Sequence, residues 1–308
     1  MALLDSAADE KTIQGRAAGW IANAISNRKH YKAGNPPLSG LAAFIVAAGP
    51  SLQKNVAALK AVSKRGVIVC VEAAFRYLME NGIVPEYCLT IDGDERMLTM
   101  IAGADTSKTT LVAMASACPA LIEAWQGPKF FLRCLGGRVD IDDQLVAVAR
   151  EVVAERDIKA GDVLHPLEDI RVDFKGLGVR ISTGGNVTGA AHSFAVEHLR
   201  ASRVIFVGAD YSWTDPDEFY AGGAHAKLSE ERQTVEKVLS HKSIGGEVAT
   251  NFSMFRYKDW HEQYAAATQI PVINATEGGI LGVNREGAAA TGWEHLPLAD
   301  AVERFTPR

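Results

Sequence analysis

The residues richest in chemistry lie in one stretch, ISTGGNVTGAAHSFAVEHLRASRVIFVGADYSW, residues 181–213. A Thr183-Gly184-Gly185-Asn186 turn opens a helical pattern whose first turns carry the small residues Gly189, Ala190, Ala191 and Ala195. Glycines ahead of a helix let backbone N–H groups approach an anion, and the helix start adds partial positive charge. A short apolar run, residues 204–207, then ends in Gly208-Ala209-Asp210-Tyr211. That sets a carboxylate and a phenol just past a strand end, where ligands bind in open α/β sheets. This is the chemistry of half a nucleotide site. Amides of the turn are placed to meet an anion, with Asp210 and Tyr211 beside them.

The other half is expected near the start. LAAFIVAAGPSL, residues 41–52, reads as a buried strand that breaks into Gly49-Pro50-Ser51 before a helix over 53–63. The same three residues also read as a plain strand-to-helix turn with Ser51 near the cap. Neither GxxxxGK[ST] nor, after the first strand, GxGxxG occurs. A second strand over 66–71 leads to Glu72, and a third over 87–91 ends in Asp92-Gly93-Asp94. Asp92 and Asp94 have the spacing of carboxylates that share Mg²⁺ beside a diphosphate; alternatively both accept bonds from ribose hydroxyls. Asn274, Thr276 and Glu277 end the last strand at the same edge. His225 and His241, in the polar stretch facing the expected cleft, are the candidate general bases near neutral pH. His192 and His198 read as packing or surface residues within a helix, and His261, beside Trp260, as half-exposed.

Strands alternating with helices at this spacing predict an α/β fold with a doubly wound, mostly parallel sheet. Further strands are expected over 110–113, 129–132 and 272–274, and helices over 73–81, 119–125 and 252–268. Residues 1–38 read as a helical segment docked through Trp20, Ile21 and Ile25, and 39–283 as the core. Within that core, 136–178 reads as an insertion and 212–250 as a lid; residues 284–308 read as a tail. A hydrophobic share of 47% supports a substantial core, and a net charge of −5 gives no nucleic-acid footprint. No apolar run is long enough to cross a bilayer and the N-terminus lacks a secretory pattern, so a cytoplasmic location is expected. Cys70, Cys88, Cys118 and Cys134 show no CxxC spacing and read as buried thiols. Self-association as a homo-oligomer is compatible with the chain.

Five motifs occur in order over about two-thirds of the chain: IVAAGPSL, GIVPEYCLTIDGD, GGNVTGAA, VIFVGADYSW and INATEGGILG. With them the chain resembles the family that joins Maf flagellin glycosyltransferase-like proteins and 6-hydroxymethylpterin diphosphokinase MptE-like proteins. It is also similar to bacterial sialyltransferases that use CMP-sialic acid. The resemblance implies a Rossmann-like nucleotide-binding core with the donor held between Gly49-Pro50-Ser51 and the 183–187 turn, and with Asp210 and Tyr211 orienting the sugar or stabilising the leaving phosphate. Where those sialyltransferases carry Asn in GNGPSL, this chain has Ala48, which removes a donor contact. Their catalytic histidine is matched in position by His241, without its flanking sequence. The His-Gly-Asp-Asn run associated with archaeal pterin diphosphokinases is absent.

The expected function is transfer of a nucleotide-activated sugar, a CMP-linked nonulosonic acid first, to a glycan, protein or small-alcohol hydroxyl, with no covalently bound cofactor. The alternatives are Mg-ATP-dependent diphosphate transfer to a pterin alcohol, and a nucleotide-binding module without catalysis in an envelope or phage-associated assembly.

Overall fold

The structure is a computed structural model that describes residues 16, 19–20, 22–31, 37–62, 65–136, 139–140, 180–213, 220–221, 238–243 and 246–306. Two early strands, β1 (Ala42–Val46) and β2 (Val67–Val71), are buried at every position. Unbroken apolar runs such as AAFIV and VIVCV suit parallel strands covered on both faces, because neither side of the pleat meets water. β3 (Tyr87–Thr90), β4 (Thr110–Met114) and β5 (Lys129–Gly136) extend the sheet in one direction. β6 (Val139–Asp140) and β7 (Arg180–Ser182) both pair with β5, antiparallel and parallel respectively. The chain then crosses back, and β8 (Arg203–Val207) pairs parallel with the other side of β1. The expected α/β, Rossmann-like, mostly parallel sheet is therefore present.

That return makes β1 and β8 the point where strand order reverses. Outside their C-terminal ends the neighbouring connections diverge and leave a crevice. Helices α1 (Leu52–Lys60) and α2 (Glu72–Glu80) leave from the ends of β1 and β2. α3 (Leu98–Ile101) and α4 (Pro119–Ala124) follow β3 and β4. α5 (Val187–Ser193) opens after β7 and continues as a π-helical turn to His198.

A two-stranded hairpin, β9 (Val238–Ser243) and β10 (Gly246–Asn251), stands apart from the main sheet within the segment expected as a lid. It leads into α6 (Phe252–Thr268), whose first turn is capped by the Asn251 side chain accepting from the Met254 amide at 2.8 Å. β11 (Val272–Asn274) pairs with β8. The segment after 284 is partly sheet rather than tail: β12 (Trp293–His295) adds a parallel edge strand, and α7 (Leu298–Phe305) packs on α1. The apolar run Leu298, Ala301, Val302, spaced three and four apart, gives α7 a stripe to bury.

The N-terminal helical segment docks through amides as well as apolar contacts. Trp20 and Ile25 pack against the core, while Asn23 donates to the Gly93 and Ser116 carbonyls and Asn27 to those of Ala115 and Ala117. Ile21 and most of the expected 136–178 insertion lie outside the described residues. Cys70, Cys88 and Cys118 are buried free thiols, as expected. Among the described residues no helix is long and apolar enough to cross a membrane.

Candidate functional site

A cleft of about 600 Å³ lies at the C-terminal ends of the central strands. Ala47, Ala48 and Gly49 enter it after β1, Glu72 after β2, Asp92 and Asp94 after β3, and Gly208 to Ser212 after β8. Gly185, Asn186, Val187 and Thr188 close one wall, and Asn251, Ser253, Met254 and Tyr257 at the start of α6 close another. Met97, Met100, Ile91 and Tyr220 make an apolar side suited to a flat ring, with Arg16 and Arg96 at the rim. A separate groove between α1 and α7 lies at the far end of α1, away from these strand ends.

Asp210 is 6% exposed and binds the two halves of the site together. Its Oδ2 accepts the Ser51 amide at 3.2 Å and the Ser51 hydroxyl at 2.9 Å. A Cβ on Gly49 would sit 2.0 Å from the same oxygen, so only glycine lets the carboxylate bed against this turn. Burial pushes the Asp210 carboxyl up to about 6, against the opposing pull of the Ser51 bonds and the Lys54 charge. Ser51 thus serves Asp210 rather than the cleft. Neither it nor Pro50 lines the cavity, contrary to the expected direct contact with the donor.

The glycine turn divides into two roles. Gly184 and Gly185 both take left-handed backbone, with φ of 57° and 81°. A Cβ on Gly184 would strike the buried Trp260 ring at 2.3 Å, which makes this residue a packing position. Gly185 lines the cleft opposite Tyr257. Thr183 holds the turn from within, its hydroxyl accepting the Gly185 amide at 3.2 Å, and does not line the cavity. Asn186 caps α5, accepting from the Gly189 amide at 3.0 Å, and also faces the cleft.

Asp92 lines the cleft and accepts the Asp94 amide at 3.1 Å, with Arg16 at 3.9 Å. Asp94 engages Arg96 with both oxygens, at 3.0 and 2.8 Å, and this fork holds its carboxyl below the usual range. In the structure Asp94 is thus held by Arg96, while both carboxylates line the cleft. Among the described residues no group of three His, Cys, Asp or Glu side chains could hold a metal ion.

Several expected contacts fall elsewhere. Asn274 is spent on its own loop, donating to the Leu281 carbonyl at 2.7 Å and accepting the Thr276 amide at 2.8 Å. Glu277 turns toward Asn55 and the Leu298 amide, at 2.8 and 3.1 Å, and ties α7 to α1. His241 sits on β9, bound through Nδ1 to the Lys242 carbonyl, and does not line the cleft. His225 lies outside the described residues.

His261 is not half-exposed but fully buried, and it meets Tyr211: Nε2 lies 2.7 Å from the Tyr211 hydroxyl. Its other nitrogen, Nδ1, is 3.0 Å from Nδ1 of the buried His192. Sequence alone does not find this cluster, because its members come from the turn after β8, from α5 and from α6. The one signal was the four-residue spacing of Tyr257 and His261, which puts both on one face of α6.

No curated protein matches the chain. Among solved structures, the Maf glycosyltransferase from Magnetospirillum magneticum AMB-1 shares the fold, with a TM-score of 0.59 at 14% identity. The match covers 92% of this chain and 38% of that one, so the chain spans well under half of its neighbour's length. The family model described as 6-hydroxymethylpterin diphosphokinase MptE-like matches residues 20–216, from the N-terminal helical segment through the β8 turn that carries Asp210 and Tyr211. The chain belongs to the 6-hydroxymethylpterin diphosphokinase MptE-like family.

Proposed function

We propose that the protein is a transferase that takes a nucleotide-activated sugar in the switch-point cleft, with a CMP-linked nonulosonic acid as the favoured donor and a hydroxyl group as acceptor. The observation that carries this reading is the cleft itself. Turns from β1, β7 and β8 converge there, with Asp210 bridging the first and last of them. The flat ring of the base lies along Met97, Met100 and Tyr220, Asp92 takes ribose hydroxyls, and Gly185, Asn186 and Tyr211 face the phosphate. Asp210 accepts the proton of the attacking hydroxyl through a carboxyl whose affinity is raised toward neutrality, as a general base requires. The Maf glycosyltransferase named above has the same fold, which supports the sugar reading by analogy of architecture.

The family description favours a second reading, diphosphate transfer from ATP to a pterin alcohol. There Mg²⁺ would arrive with the substrate phosphates, as is usual for this ion, and Asp92 is the carboxylate placed to meet it. A thermal-shift panel separates the two, because a ligand stabilises only the state it binds. CMP and CTP are expected to raise the melting temperature more than ATP, with or without Mg²⁺. A shift with ATP that needs Mg²⁺, and none with CMP, would transfer the assignment to the diphosphokinase.

A further inference from the structure

The Tyr211 hydroxyl is the outer end of a buried chain of polar groups. It lies 2.7 Å from His261 Nε2 and 3.2 Å from Asn186 Oδ1, and the Thr188 side chain hydrogen-bonds it as well. His261 Nδ1 faces His192 Nδ1 at 3.0 Å, and among the described residues His192 Nε2 has no hydrogen-bond partner. Both rings are fully buried, and burial drives both well below the usual histidine range, so each is neutral with one proton.

One proton per ring leaves two polarities. In the first, Tyr211 donates to His261 Nε2, His261 Nδ1–H donates to His192, and His192 is left with a buried N–H that reaches nothing. The Tyr211 oxygen then also faces the Asn186 carbonyl oxygen, an acceptor, without a proton between them. In the second, His192 Nδ1–H donates to His261, His261 Nε2–H donates to the Tyr211 oxygen, and Tyr211 donates to Asn186 Oδ1. Every short contact then holds one proton, and the group left over is a bare ring nitrogen. Buried orphan N–H groups are rarer than under-used acceptors, so the second polarity wins. Asn186 cannot reverse it: its Oδ1 already accepts the Gly189 amide, and its Nδ2 points to the Gly184 carbonyl.

We propose that His192 and His261 are positioning residues that hold the Tyr211 hydroxyl as a hydrogen-bond donor toward the cleft, for an oxygen of the bound nucleotide's phosphate. The phosphate partner rests on the nucleotide reading above; the polarity of the chain does not. The pair orients and does not act as a base, because a proton passed inward would create a buried imidazolium. Tyr211 and Asn186 both line the cleft, so a phosphate oxygen bound there would take the proton that Asn186 Oδ1 accepts in the structure.

Long-range ¹H–¹⁵N spectra of the full chain at neutral pH read the ring protons directly. His192 protonated on Nδ1 and His261 on Nε2 is the expected result; His261 protonated on Nδ1 overturns the proposal. Calorimetric titrations with CMP and with cytidine supply the second readout. His261→Leu is expected to weaken CMP by about tenfold, the size of a hydrogen bond to a charged group, and leave cytidine unchanged. His261→Gln, which keeps a donor toward Tyr211, is expected to restore CMP affinity. Equal loss of CMP and cytidine in both variants would reduce the pair to packing and overturn the proposal. A wild type that binds no nucleotide removes the proposed function, and the ring protons then decide the inference alone.

Discussion

At the scale of single residues, neighbours of the same type do opposite work. Gly184 and Gly185 are indistinguishable in the sequence, yet one faces Trp260 and the other the cleft. Gly184→Ala is expected to cost about 2–4 kcal/mol of stability, combining left-handed strain with overpacking against a ring that is buried and fixed. Gly185→Ala meets Tyr257 at 3.2 Å and is expected to abolish CMP binding in a calorimetric titration with a smaller fall in melting temperature. Equal melting losses with intact binding would make both residues structural. Asp92 and Asp94 divide likewise. With Asp94 forked to Arg96, Asp92→Asn is expected to weaken CMP equally in Mg²⁺ and in chelator, by roughly 1.5–3 kcal/mol. A loss seen with Mg²⁺ alone would return Asp92 to a metal role. The glycine turn and Asp210 were legible because a turn after a strand has few uses beyond a cap or a ligand. The buried Tyr211–His261 contact was not, because a histidine's burial depends on helices that pack from far along the chain.

At the scale of elements, the strands were the most legible part. Runs such as FIV and VIVCV admit no amphipathic alternative, so their place in a two-sided parallel sheet follows from composition. The end of the chain was not legible as sheet, since β12 is three residues long and carries Glu294 and His295 at an edge. What fixes it is tertiary. Glu277, expected at the ligand edge, instead reaches the first amide of α7 and the Asn55 side chain on α1. An acidic group at a helix start satisfies an orphan donor and meets the positive end of the dipole. Glu277→Ala is therefore expected to lower unfolding stability by about 1 kcal/mol and to leave nucleotide affinity unchanged. A binding defect at unchanged stability would put Glu277 back in the site.

At the scale of the whole molecule, the fold buries ionisable groups of opposite sign response near one cleft. Asp210, with its carboxyl raised from 3.8 to about 6, binds protons more tightly when folded. Its contribution is fully present below pH 3.8 and is lost as pH rises through about 6. His192, lowered from 6.5 to about 3, does the reverse: its contribution is present above pH 6.5 and is lost on acidification. The two slopes oppose each other over the same window, so the stability of the wild type alone conceals both. Asp210→Asn removes one slope and keeps the other. The stability of wild type relative to Asp210→Asn is expected to rise as pH falls from 7 to 4, by about 2.5 kcal/mol of the roughly 3 kcal/mol that a shift of this size carries in full. Urea unfolding of both proteins across that range measures the difference. A difference that stays flat would mean that Asp210 titrates as an ordinary carboxyl, and the base role assigned to it would fall with the slope.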